Sequence, residues 1–583
     1  MSTVLFPFRA ASRGIQPNSG MMGTHPFLIL SGLAVAVIML LLGVIVQVAF
    51  QQGGRIAEGV WTLDNFRVIF GDSLAFRAAV NTFGFTVVVV VTSLTLAVPI
   101  ALLVERTNLP AGNWVISLLT LTLAVPSFFP AMGWQFLLHP RIGIVNRWLM
   151  SILPIDEAPV NIGSVAGMGF VQGLGFVPLA FIMIAPAFRN MDPSLEESAE
   201  IHGIGLWARL RTVTLPLMWP SILAAGLYVM ALGITAFDIP AFLGMGNRIY
   251  TLSTYLYIRA QPLDAPPDYG VVGAISVFTM ILAILISWWY LRTIRRTERY
   301  QVISGKGYRP KRIDLGLWWI AGWLFIGLVL ILSTLLPAAT LIWASLLPFM
   351  AIPSREALQM VSLENFNSIP WQTFSFALKN TALLTLSVPS IAILVGVALS
   401  WCILKLKTRF SGLFDVIAFL PHVIPNLIFA VGALFIALFW LPSFIPFYGT
   451  IAIIMTVNVV VRIPFATRMC NSSFLQINKD LEEAGYVSGL GSMTVFWRIV
   501  RPLVAPALLY AWLWMSLLAY SELTIAAFLV TRENTTLPVF IWAIWSGGDL
   551  NEAAAVSLLA LLFIVPLVVL YFTLGRRAVN WHG

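Results

Sequence analysis

The stretch "LEESAEIHGIG" at 195–205 decides the fold, because it returns as "LEEAGYVSGLG" at 481–491. The chain is 59% hydrophobic and only 10% charged, so three glutamates and a histidine followed by two glycines stand out. The offset of 286 also pairs Gln172 with Asn458, Pro178 with Pro464, Gly203 with Gly489, Pro216 with Pro502 and Pro220 with Pro506. It pairs "AFL" at 241–243 with "AFL" at 527–529 as well. Nearer the N-terminus, "TLDNF" (62–66) matches "SLENF" (362–366), "NT" (81–82) matches "NT" (380–381), and "PSFFP" (126–130) matches "PHVIP" (421–425). The landmarks keep their order while the offset shrinks from 300 to 286, which places shorter loops in the second copy. An ordered self-match of this length marks a tandem repeat.

A soluble domain carries about 25% charged residues, so this chain belongs elsewhere. Continuous apolar runs of about 20 residues are what a bilayer-spanning helix requires. Twelve are present, near 26–50, 78–104, 113–138, 162–188, 216–244, 271–291, 316–349, 376–404, 412–439, 449–466, 503–530 and 553–574. Barrel strands alternate and are shorter, so the expected fold is all-α, a polytopic bundle of about 12 transmembrane helices. The repeat divides it into a first half (1–291), a basic linker (292–315) and a second half (316–583). An even number of spans per half makes the two six-helix repeats parallel, related by an axis along the membrane normal.

The net charge of +9 does not point to nucleic acid. With a cytoplasmic N-terminus, 23 Lys/Arg fall in cytoplasmic segments and 10 in external ones, with Arg462 at a border. The densest run, "RTIRRTERYQVISGKGYRPKR" at 292–312, falls inside. This bias orients membrane proteins and places both termini in the cytoplasm. The first apolar run is too long for a cleavable signal and reads as a retained helix. The two cysteines, Cys402 and Cys470, build no disulfide framework or metal site.

Within 192–216, Asp192 suits a helix cap and Pro193 the first helical position. The glutamates favour the positive end of the helix dipole, and Gly203 fits the left-handed position past a helix end. A second short helix, "LWARLRTV", leads to Pro216. Leu206, Trp207 and Leu210 share one face of it. The copy has Asn478 as cap, Gly489 as break, and Met493 and Phe496 as apolar residues. On composition alone this is an amphipathic loop on the membrane surface; apolar residues rimmed by charge also mark protein interfaces. His202 reads as a solvated residue at the helix end.

The pattern resembles one that marks the inner-membrane permeases of binding-protein-dependent ABC importers: E-A-A, three residues, G, nine residues, I-x-L-P. The first half offers Glu197-Ser198-Ala199, Gly203 and Val213-Thr214-Leu215-Pro216; the second offers Glu483-Ala484-Gly485, Gly489 and Ile499-Val500-Arg501-Pro502. The second copy departs at Gly485 and Arg501. The resemblance covers nearly the whole chain. It implies a type I importer fold in which each loop docks into an ATPase subunit, so two ATPase copies and an extracytoplasmic substrate-binding protein are the implied partners. No G-x-x-x-x-G-K-[ST] occurs in the chain, so no cofactor is expected here, and ATP and magnesium belong to the partner ATPase.

Polar residues inside spans are functional candidates by default. Asp238 and Glu522 lie in equivalent spans, two positions out of register, and serve either a translocation path or helix–helix bonding. Gln172, Asn458 and His422 fit interhelical bonding more readily. Arg462 reads as a side chain that snorkels toward the interface. No nucleophile, acid–base pair or metal constellation is legible. Within the resembling family, fused halves are typical of ferric iron, thiamine and aminophosphonate permeases, while polyamine systems use separate chains. The segments at 448–468, 476–485 and 305–310 look most like the ferric iron branch. A major-facilitator secondary transporter would also have twelve spans in two repeats, but "ERTNLPAGN" (105–113) lacks its Gly/Asp/Arg-rich loop.

Overall fold

The computed structural model describes residues 25–52, 60–192, 194–262, 265–297, 312–405, 410–441 and 447–580. Pro193 and the basic run 298–311 of the linker fall outside these residues. The described chain is helical, with two isolated β-bridges and no strand among the described residues.

The first half contains α1 (His25–Ala49), α2 (Ser73–Arg106), α3 (Asn113–Leu123), α4 (Phe128–Leu138), α5 (Val165–Arg189) and α6 (Ser194–Ile201). It continues with α7 (Leu206–Thr235), α8 (Leu252–Ala260) and α9 (Tyr269–Thr297). The second repeats the plan as α10 (Gly316–Ser345), α11 (Trp371–Leu404), α12 (Ser411–Val423), α13 (Asn426–Trp440) and α14 (Ile451–Leu475). After these come α15 (Lys479–Val487), α16 (Ser492–Tyr520), α17 (Leu537–Gly547) and α18 (Leu550–Asn580). Among the described residues, ten helices are long and apolar enough to cross a membrane, and 12 spans result if each bent pair counts as one.

Four of the expected spans change shape. The runs 113–138 and 412–439 bend by 88° between α3 and α4 and by 102° between α12 and α13. The bends fall at "PSFFP" and "PHVIP", where prolines remove donors and bias the preceding residue away from the helix. The runs 216–244 and 503–530 end early, at Thr235 and Tyr520. Pro216 and Pro502, in contrast, break nothing. Each follows a single wide π-turn, Leu210–Thr214 or Phe496–Val500, inside a continuous helix. That turn accommodates the missing donor, so the second short helix of each motif is the start of a span.

The repeated motifs do the same work in both halves. Asn65 donates to the carbonyls of Ala49 and Gln51 (2.9 and 2.8 Å), and Asn365 donates to those of Ser345 and Leu347 (2.9 and 2.7 Å). Each therefore satisfies carbonyls at the end of its half's first span, which have no helical partner. The "NT" pairs tie the second span to a short helix. Asn81 donates to Tyr250 O (3.0 Å) while Thr82 accepts from Leu252 N (2.8 Å). Asn380 and Thr381 repeat this with Thr535 O (3.0 Å) and Leu537 N (2.8 Å).

The halves exchange their first helices. Helix α1 packs on α11, α12 and α13 of the second half as well as on α9 of its own, and α10 packs on α3 and α4 of the first as well as on α18 of its own. Glycine permits the closest approach on each side. A Cβ on Gly432 would lie 2.5 Å from the Leu41 carbonyl oxygen, and one on Gly133 would lie 2.5 Å from Pro337 Cα. At the end of the linker, Ile313 bridges to Thr107, and Asn108 Nδ2 donates to Asp314 (2.7 Å).

Candidate functional site

The two motifs form helix–Gly–helix loops at one end of the bundle. Asp192 caps α6 by accepting from Ser194 N (2.9 Å), and this bond holds its carboxyl below the usual carboxylate range. Asn478 caps α15 by accepting from Asp480 N (3.1 Å). Gly203 and Gly489 have φ of +74° and +78°. Ile204 N donates to Ala199 O (3.0 Å) and Leu490 N to Gly485 O (3.1 Å), the six-to-one bond of a Schellman ending.

Each loop is fastened to its own half by a buried carboxylate. Glu196 bonds Arg106, the last residue of α2, and accepts from Thr214 Oγ1 (2.5 Å). Glu482, at the equivalent position, bonds Lys405, which follows the last residue of α11. The family pattern directs attention to Glu197 and Glu483, but the anchors lie one residue earlier. Glu197 is half-buried and Glu483 exposed. The doubled glutamate in both copies, with a cation at the end of both second spans, was the available signal.

The departures from the pattern have local causes. Ala199 is buried; at its counterpart Gly485, a Cβ would lie 2.8 Å from Ile499 Cδ1 and 3.1 Å from Val495 Cγ2. The first half has the smaller Val213 opposite Ile499, which leaves room for the alanine methyl. Arg501 replaces Leu215 at an exposed position and lies over the Trp497 ring, 5.0 Å from its centroid. Ala484 and both prolines, Pro216 and Pro502, are exposed as well.

The outward apolar residues form a two-fold set. Ile201 and Val487 are 84% and 89% exposed, and Leu195 and Leu481 repeat the pairing half-exposed. Sequence reading passed over all four. Leu206 and Trp207 also face outward, Met493 is half-buried, and Phe496 is turned inward against Phe27 and Trp401 (ring centroids 5.2 and 5.4 Å). The exposed aromatics on the second loop are Tyr486 and Trp497.

Asp238 and Glu522 lie where α7 and α16 have ended. Asp238 accepts from Ser127 Oγ (2.5 Å) and from Thr524 Oγ1 (3.1 Å). Thr524 is its counterpart at an offset of 286, so the two halves touch there through equivalent residues. Glu522 pairs with Arg462 (3.1 Å) and accepts from Ile525 N (3.0 Å). Arg462 therefore does not snorkel; it is drawn inward by this carboxylate and also donates to Leu518 O (3.1 Å). Away from the docking loops, Phe237, Tyr257, Phe528 and Trp542 close together, with centroids 5.1–6.1 Å apart. On the docking-loop side of the Asp238–Thr524 contact is a cavity of about 130 Å³, reaching Thr524 and walled by Tyr228, Tyr290, His422 and Asn426. His422 stacks on Tyr228 at 5.7 Å. Gln172 and Asn458 are buried at matching positions of α5 and α14, and among the described residues neither hydrogen-bonds Asp238 or Glu522. Asn458 bonds back to Ile454 O of its own helix (3.3 Å).

The sequence profile described as "Binding-protein-dependent transport system inner membrane component" matches residues 97–299 and 390–579, once in each half. The chain is similar to the ferric transport system permease protein FbpB of Actinobacillus pleuropneumoniae, 22% identical over 78% of this chain and 64% of that protein. It thus spans less than two thirds of that relative's length. It is similar to the Fe(3+)-transport system permease protein FbpB 2 of Haemophilus influenzae, 21% identical over 83% of this chain and 87% of that one. It is also similar to the putative 2-aminoethylphosphonate transport system permease protein PhnU of Salmonella typhi, 26% identical over 43% of this chain and 86% of that one. With two profile matches centred on two structurally equivalent loops, the chain belongs to the family of inner-membrane components of binding-protein-dependent transport systems, as a multi-pass membrane protein carrying both halves in one polypeptide.

Proposed function

We propose that this chain is the permease of an ABC importer, coupling ATP hydrolysis in partner subunits to passage of a substrate between its halves. The paired docking loops carry the reading. Two equivalent apolar tips, Ile201 and Val487, on one end of a two-fold bundle match a pair of identical partners, so one chain serves two ATPase subunits. The excess of Lys and Arg in the segments on that side supports a cytoplasmic position for that end and for both termini. ATP and magnesium belong to the ATPase. An extracytoplasmic protein selects the cargo and delivers it to the opposite face. The aromatic closure there and the cavity on the loop side fit a path closed to the outside. Ferric iron is the proposed cargo, supported by the two long-range relatives; the phosphonate relative, similar over a shorter share of this chain, supports an aminophosphonate as the second reading.

Reconstituted with its ATPase and binding protein, the chain should take up substrate only with ATP. Replacing Ile201 and Val487 together by Asp should lower uptake at least about tenfold, since losing buried apolar contacts at both interfaces removes several kcal/mol. These exposed positions leave the fold intact, so the variant should keep its thermal unfolding midpoint. Ion-driven uptake by the chain alone, or full uptake by the variant, would refute the reading. The ligand that copurifies with the binding protein decides between ferric iron and a phosphonate.

A further inference from the structure

At the end of the bundle opposite the docking loops, a second cavity of about 340 Å³ opens beside the start of α2. Arg77, in the second turn of α2, and Arg248 both line it, with Asn81 and Tyr250. The floor is fixed by the bond from Asn81 to Tyr250 O (3.0 Å). Arg248 is held on an ordered turn: its N–H donates to Met245 O (3.0 Å), and its φ of +56° lies in the left-handed region. That conformation is unfavourable for arginine. Among the described residues, neither arginine has an ion-pair partner. The nearest acid along α2, Asp72, is occupied by Leu74 N, Tyr255 and Arg259.

The surface that continues from this cavity is apolar and uncovered. Phe76, Val80, Phe83, Val87 and Val91 are 71%, 54%, 73%, 44% and 58% exposed along one stripe of α2. At 1.5 Å per residue the stripe is about 22 Å long, enough for one leaflet's share of a hydrocarbon core about 30 Å thick. The two cations stand at its outer end, at the depth of lipid headgroups. They are not part of the two-fold plan: in the register set by the Tyr250–Thr535 and Leu252–Leu537 pairings, the equivalent positions are Phe376 and Glu533. The second half holds the same fold without them, so packing does not demand them.

We propose that Arg77 and Arg248 form a site for the phosphate of an anionic phospholipid headgroup in the leaflet opposite the docking loops, its acyl chains lying along the Phe76–Val91 stripe. A double cation on an ordered turn suits a phosphate, and the apolar stripe distinguishes a lipid from a free anion.

The test is lipid retention by the purified full chain. Protein equilibrated with mixed phosphatidylglycerol and phosphatidylcholine micelles is delipidated stepwise, and bound lipid is read by native mass spectrometry. Wild type should hold phosphatidylglycerol over phosphatidylcholine; R77Q/R248Q should hold it at least about tenfold less, as expected for two lost charges near a surface. R77K/R248K should retain an intermediate amount. Excess inorganic phosphate should not displace the lipid; displacement would show a free-anion site and overturn the proposal. Equal retention by R77Q/R248Q with an unchanged unfolding midpoint would overturn it. So would unchanged lipid retention together with lost affinity for the binding protein, which would assign the patch to that partner.

Discussion

Gly432→Val is expected to prevent formation of a stable bundle. A Cβ there would lie 2.5 Å from the Leu41 carbonyl oxygen, with the Leu41 carbonyl carbon 3.2 Å away. The obstacle is backbone of a helix from the other half, which no rotamer change can move. Overpacking of a flexible core costs about 1–3 kcal/mol; here α1 must leave its seat, so the whole contact between halves is at stake. Gly133→Val should act alike, because Pro337 of α10 occupies the mirrored place. Gly327→Ala is the control: nothing lies within 4 Å of it, and alanine in a helix should be neutral or favourable by about 0.5–1 kcal/mol. Size-exclusion profiles and thermal unfolding in detergent read all three. A monodisperse Gly432→Val with an unchanged midpoint would show that the helix exchange is not the seam of the fold.

Glu196→Ala should destabilise the first docking loop more than Glu482→Ala destabilises the second. The Arg106 side chain is 2% exposed and Lys405 20% exposed. Removing one partner of a buried pair leaves an uncompensated charge, at about 3–5 kcal/mol, whereas Lys405 can turn its ammonium to water. Glu196→Ala also strands Thr214 Oγ1, the partner bonded at 2.5 Å. Replacing the pair together, as Arg106→Met with Glu196→Leu, should recover most of the stability, because the charge goes with its partner. The expected order of unfolding midpoints is wild type, then the double variant, then Glu482→Ala, then Glu196→Ala. Equal midpoints for the two single alanine variants would mean that burial does not set the strength of the two anchors.

Much of this was legible because a bilayer solvent imposes a simple rule on length and polarity. The spans, the repeat and the helix–Gly–helix loops followed from runs, offsets and two glycines whose positive φ the structure shows. The bends at 124–127 and 424–425 were not legible as bends. Both arms of each are apolar, since protein rather than lipid surrounds much of α4 and α13, and hydropathy does not carry direction. Arg462 was misread for a related reason: its partner Glu522 is 60 residues away in sequence, and without that contact an arginine in a span has only the interface to reach for. Phe496 was grouped with the apolar residues of the loop, but it is seated inward by Phe27 and Trp401, long-range contacts that helical spacing does not show. The buried anchors were missed because a family pattern names Glu197 and Glu483, while the fold seats their neighbours.

The helix exchange redraws the moving parts of the molecule. A stroke that followed these packing seams would not divide the molecule at its sequence repeats. One body would hold the second half's α11–α13 with α1 and its neighbour α9, and the other α3 and α4 with α10 and its neighbour α18. Spectroscopic labels on α1 and α13 should therefore keep a fixed separation through a turnover cycle, although they belong to different halves. Labels on α1 and α4, within one half, should report the stroke.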